Sequence, residues 1–126
     1  VLIAKAGGIP LILAALDKHA QHAGVVEQAC GAVRNLAGNA DNKVLIAKAG
    51  GIPLILAALD KHAQHAGVVE QACVALCNIG WSDKTLQKSI KDAGAEQLVR
   101  TAVGWSGATA DTKKFGQMLL DKLAQL

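Results

Sequence analysis

The sequence predicts an all-α chain, a right-handed solenoid of about three stacked helical units, and three observations carry that expectation. First, residues 1–30 recur, residue for residue, as residues 44–73, a period of 43 in a chain of 126. Repeats of roughly 40 to 47 residues are the length of a two- or three-helix unit that buries its apolar face against its neighbours. Second, the chain is 52% hydrophobic yet has only three aromatic residues, Phe115, Trp81 and Trp105. Its apolar content lies in Ala, Leu, Ile and Val, and the Ala-rich balance favours closely packed helices over strands. Third, the apolar residues fall three and four apart between glycine and proline breaks, which is the spacing of one helix face.

The first helix of the unit runs up to Ala6 and ends at Gly7-Gly8, where a glycine takes the left-handed cap conformation. Pro10 opens the second helix in its first turn, where the missing donor costs nothing. Ile9, Leu13 and Leu16, with Ile12, give that helix its apolar face. It runs out in Lys18-His19-Ala20-Gln21-His22, and Gly24 ends the connection. The third helix is the longest: Val26, Ala29, Val33 and Leu36 draw one stripe along it, and Gly38 and Asn39 close it. The same three helices repeat from Val44 onward. Gly31-Ala32-Val33-Arg34-Asn35-Leu36 becomes Val74-Ala75-Leu76-Cys77-Asn78-Ile79 in the second unit.

A third, divergent unit follows. Asp92-Ala93-Gly94 echoes Lys48-Ala49-Gly50, and the stretch around Lys122 echoes that around Asn35. Lys113, Lys114, Gln117, Asp121 and Gln125 give it a polar outer face, as a terminal unit needs. The expected division is therefore one domain, residues 1–126, with repeats at 1–43 and 44–86 and a capping repeat at 87–126. Thirty identical residues in a row point to a very recent duplication or to a designed sequence, because natural repeats drift.

The run Asn42-Lys43-x-x-Ile46-x-x-Ala49-Gly50-Gly51-Ile52-Pro53-Leu54-Ile55, with a third helix ending Ala75-Leu76-Cys77-Asn78-Ile79, resembles the armadillo repeat of importin-α and β-catenin. The resemblance covers the whole chain, strongly over two units and weakly over the third. HEAT repeats are the nearest competitor, but they have two helices per unit and lack the Ala-Gly-Gly-Ile-Pro junction. The resemblance implies that the third helices line a concave groove. There the Asn near each helix end, Asn35 and Asn78 here, hydrogen-bonds the backbone of an extended peptide. An amide suits that task because it both donates and accepts. Gln28, Gly31, Arg34, Gln71, Val74 and Trp81 complete the expected peptide-binding groove. The importin-like Trp four residues before the Asn is replaced by Gly31 and Val74, and the third unit has Lys122 where the Asn would stand. Together with the lack of acidic residues beyond Glu27 and Glu70, this argues against a groove for basic localisation signals. An Asn near a helix end also serves simply to bridge neighbouring turns, and Trp81 is expected to fill the gap between the second and third units. Trp105, in the Gly104-Trp105-Ser106-Gly107 connection, is expected to pack across a loop.

Catalysis is not expected. No nucleophile motif, phosphate loop or paired carboxylates appear, so the site has no catalytic residues and needs no cofactor. His19, His22, His62 and His65 are the one candidate metal cluster, but a polar helix end copied with its repeat explains them, and no metal is expected. Cys30, Cys73 and Cys77 are odd in number and set in apolar segments. They read as buried thiols of an intracellular, reducing compartment, cytoplasm or nucleus. The net charge of +3 is dispersed, so no nucleic-acid partner is expected. No apolar run reaches a membrane span and no leader pattern opens the chain, so a soluble protein with no membrane partner is expected. The expected function is a protein- or peptide-binding scaffold. The alternative is a self-associating module, a homodimer formed through an uncapped N-terminal repeat whose candidate contacts are Val1, Leu2, Ile3, Leu13 and Val25.

Overall fold

Helix ends in this chain are set by a small number of capping residues. Gly7, Gly50 and Gly94 have φ of 89°, 84° and 91°, a left-handed conformation that glycine adopts without the steric cost a side chain would bring. Each stands at the start of the helix that follows it. Asn39 caps a helix start, its side-chain oxygen accepting from the amides of Asp41 at 2.9 Å and Asn42 at 3.2 Å. Asp83 caps another through Leu86 N at 2.9 Å, and Thr109 a third through Thr112 N at 3.1 Å. Such caps satisfy amides that have no partner inside the helix.

The computed structural model describes residues 7–126. Among them lie eight helices and no strand: α1 (Gly8–Lys18), α2 (Ala23–Leu36), α3 (Ala40–Lys48), α4 (Gly51–Lys61), α5 (Ala66–Gly80), α6 (Lys84–Asp92), α7 (Ala95–Gly104) and α8 (Ala110–Ala124). The helix expected to end at Ala6 falls outside the described residues. Two layers result. The long helices α2, α5 and α8 pack side by side in that order, and α1, α4 and α7 pack in a second layer against them and against one another. The short helices α3 and α6 turn the chain between units, α3 meeting α4 at 77°. No single described helix is long and apolar enough to cross a membrane.

Two details differ from the sequence expectation. The third helix of the unit starts at Ala23, capped by His22, so Gly24 lies in its first turn instead of ending the connection. Repeat boundaries drawn at 43/44 and 86/87 also cross α3 and α6. A repeat fixes the period of a pattern but not its phase, and the turns sit a few residues earlier.

One apolar core runs the length of the stack, from Ile9, Leu13 and Leu16 through Ile46, Ile55, Leu76 and Ile79 to Leu119 and Leu123. α5 is its axis, with Ala72, Cys73, Val74, Ala75, Leu76 and Cys77 all buried. Two buried amides close the long helices. Asn42 donates to the carbonyl of Leu36 at 2.9 Å, and Gln87 donates to that of Gly80 at 2.8 Å. Both satisfy a last-turn acceptor that would otherwise be buried without a partner.

Because α1 and α4 share a sequence, the chain carries its own control for packing. Val25 is 40% exposed, whereas Val68, the same repeat position, is fully buried. Leu11 is 72% exposed, and its equivalent Leu54 packs against the core. The difference is the unit that covers α4 and α5 from one side.

Candidate peptide-binding face

The long helices position the expected groove residues, and they do so unequally. On α2, Gln28 and Asn35 are exposed and Gly31 and Arg34 half-buried. With Ala32 and with Gln71 of α5 they line an open trough of about 420 Å³. Gly31 has no side chain there, and a Cβ added to it would lie 3.6 Å from Gln71 Oε1, in ordinary contact with the neighbouring amide. Arg34 Nη1 donates to Gln71 Oε1 at 3.2 Å, which pins the guanidinium across the α2–α5 seam.

α5 contributes less than its sequence suggested. Val74, expected in the groove, is buried, because α5 has long helices on both flanks. Asn78 is half-buried, and its Nδ2 donates to the backbone carbonyl of Arg34 at 3.2 Å. It therefore ties one unit to the next. One of its two amide N–H groups is engaged there, and the other and the oxygen remain for another partner.

Trp81 does not fill the gap between units. It follows the last turn of α5 and stays 40% exposed at the end of the long-helix layer. The ammonium of Lys122, from α8, stands over its ring at 4.8 Å, and Lys43 of α3 donates to its backbone carbonyl at 2.9 Å. The turn beyond it is held by Ser82 at φ 62°, the one described non-glycine residue with positive φ. Trp105 lies partly buried against the core with its indole where a Cβ on Gly107 would stand, so it packs across its loop as expected.

The two glutamates that could have made the face acidic are turned elsewhere. Glu27 reaches the α5 start, where its carboxylate lies against Gly67 and 3.8 Å from His65 Nδ1. That nitrogen accepts the amide of Val68 at 3.3 Å, so His65 acts as a helix cap. Glu70 accepts the hydroxyl of Thr109 at 2.6 Å across the next junction. The other histidines are also separated: His62 Nε2 lies 2.8 Å from the Ala20 carbonyl, and the rings of His19 and His22 are 6.0 Å apart. Among the described residues no three His, Cys, Asp or Glu side chains converge on a metal-sized site.

The thiols are chemically quiet. Burial pushes Cys30 and Cys73 up to about 12. Burial also raises Cys77, to about 11, with Lys122 and Lys43 pulling in the other direction. At neutral pH none carries a significant thiolate fraction. Another hollow, about 690 Å³, lies elsewhere, between α6 and Gln125 and Leu126. Two of its lysines are already engaged: Lys88 pairs with Asp92 at 3.1 Å, and Lys91 donates to the carbonyl of Leu123 at 3.2 Å.

The model of the armadillo/β-catenin-like repeat family matches residues 1–38 and 39–80, more than half of the chain. The chain belongs to the armadillo-repeat family. Its matched segments divide at the turn between α2 and α3 and end with α5. Over 43 residues this armadillo chain is 51% identical to Protein aardvark of Dictyostelium discoideum, a match covering 34% of the chain and 6% of that protein. No solved structure matches it. Armadillo repeats generally serve as protein-binding scaffolds, and the family is typically non-enzymatic.

Sequence reasoning singled out the residues of the α2 row, which share one trough, and did not bring Lys43 and Lys122 to Trp81. Lys122 was visible as the third unit's replacement for the Asn. Lys43 meets Trp81 from 38 residues away, a proximity that no local pattern encodes.

Proposed function

We propose that the chain binds an extended polypeptide segment along the face formed by α2, α5 and α8, with Gln28 and Asn35 as the principal backbone contacts. The observation that carries this reading is the row of exposed Gln28 and Asn35 with half-buried Gly31 between them beside Gln71, an open polar trough lined by side-chain amides. Amides spaced by whole helical turns suit the repeating donor and acceptor pattern of an extended backbone. Asn78 is a weaker candidate contact, since its amide nitrogen already serves the Arg34 carbonyl. The three buried thiols fit a reducing compartment, which is part of the same proposal.

The test is a peptide-library selection followed by titration of the Gln28→Ala/Asn35→Ala double variant. Both side chains are exposed, so the variant should keep its melting temperature. Affinity for a selected peptide should fall about thirtyfold, as expected for a loss on the order of 1 kcal/mol at each amide. Unchanged affinity would end the groove reading.

A second reading is self-association through the α1 and α2 end of the stack. It is favoured by Leu11 and Val25, exposed there although their equivalents in the next unit are covered. Of the expected contacts, Val25 is exposed. Leu13 is buried in the core and is corrected, because it shares the inward face with Ile9 and Leu16. Val1, Leu2 and Ile3 lie outside the described residues. Light scattering over a wide concentration range should give a dimer that Leu11→Lys/Val25→Lys converts to monomer. A parent protein that is monomeric throughout would dispose of this reading.

A further inference from the structure

The far end of the same face has the opposite character from its polar middle. Trp81 is the exposed aromatic side chain next to the long-helix layer, and in a cation-binding groove its ring would be the platform for an incoming lysine or arginine. Here Lys122 already stands on that ring at 4.8 Å. Lys43 donates to the backbone carbonyl of the same residue at 2.9 Å. Arg34 adds a third cation farther along the face. The nearby carboxylates do not neutralise these groups. Neither ammonium group has a described carboxylate within 4 Å: Glu27 and Glu70 face the junctions between units, Asp83 accepts the amide of Leu86 at 2.9 Å, and Asp121 accepts from Gln117 at 2.9 Å.

Two ammonium groups held near one exposed indole, neither with a carboxylate partner among the described residues, make a site lacking an anion. A carboxylate there would gain two charge-assisted contacts, and its side-chain methylenes would lie on the indole edge. We propose that Lys43, Trp81 and Lys122 form a subsite for an acidic side chain of a bound extended peptide. The Lys122–Trp81 stack fills the place a basic side chain would need. The proposal rests on the polypeptide-binding reading above and gives it a charge class: acidic segments are taken and basic ones refused. Lys122 moves towards the carboxylate on binding, so the environment of the Trp81 ring changes.

The test uses the Trp105→Phe variant, in which Trp81 is the remaining fluorophore, and three short Gly/Ser peptides that carry glutamate, glutamine or lysine at the same positions. The glutamate peptide should bind at least about threefold tighter than the glutamine peptide, the scale of partly exposed charge pairs. It should shift Trp81 emission and lose its advantage at high salt. Lys122→Gln and Lys43→Gln, checked for unchanged helicity, should each reduce the preference, and the lysine peptide should bind most weakly. A lysine peptide that binds as well as the glutamate peptide overturns the subsite. So does a glutamate preference that survives Lys122→Gln, or no binding of the glutamate peptide at millimolar concentration. The two proposals fail separately. If Gln28→Ala/Asn35→Ala binds all peptides unchanged while the glutamate preference persists, the groove contacts are wrong and the subsite stands. If that double variant loses binding but no charge preference exists, the groove stands and the subsite falls.

Discussion

Gly24 and Gly67 are the same residue of the repeat, each in the first turn of a long helix, yet they occupy different surroundings. A Cβ on Gly24 would meet nothing within 4 Å, whereas one on Gly67 would run into the carboxylate of Glu27. Alanine in place of glycine inside a helix gains about 0.5–1 kcal/mol from backbone entropy. Gly24→Ala should therefore raise stability by roughly that amount in urea unfolding. Gly67→Ala should gain less or lose, because Glu27 must swing away from the junction. Glu27→Ala should restore the gain, a coupling that a double-mutant cycle measures. Equal effects of the two glycine substitutions would show that the junction is looser than described. The sequence could not reveal this asymmetry, since the two glycines have identical neighbours for many residues on either side.

At the scale of the element, the helices were legible wherever a local rule fixed them. Gly7, Gly50 and Gly94 mark left-handed breaks, Pro10 and Pro53 mark helix starts, and the stripe of Val26, Ala29 and Val33 marks an inward face; all are short-range patterns. What escaped was whatever depends on a neighbouring helix. α2 and α5 begin with the same eight residues, from Ala23 and from Ala66. On α2 the position of Gly31 is open to solvent, while its α5 equivalent, Val74, is buried between two flanking helices. The equivalents Asn35 and Asn78 diverge in the same way, one free at the surface and the other donating to the Arg34 carbonyl. Periodicity gives the face of a residue and says nothing of what lies opposite.

For the whole molecule, the period of 43 predicted stacked helical units, because such a unit cannot bury its apolar face alone, and the glycine and proline breaks divided each unit into three helices. The proposed binding face was only half visible. The amide row on α2 follows from the family pattern, but the cationic end depends on Lys43, Trp81 and Lys122, which come from three helices' ends and meet only in the folded stack. The face that results has amides in the middle and positive charge at one edge, with its two candidate glutamates withdrawn into the junctions. The measurement that tests this most directly is a map of backbone amide NMR shifts on titration with a peptide selected from a library. Shifts confined to Gln28, Gly31, Asn35, Gln71 and the Trp81 edge are the predicted result. Shifts confined to α1, α4 and α7, with the long-helix face silent, would contradict it.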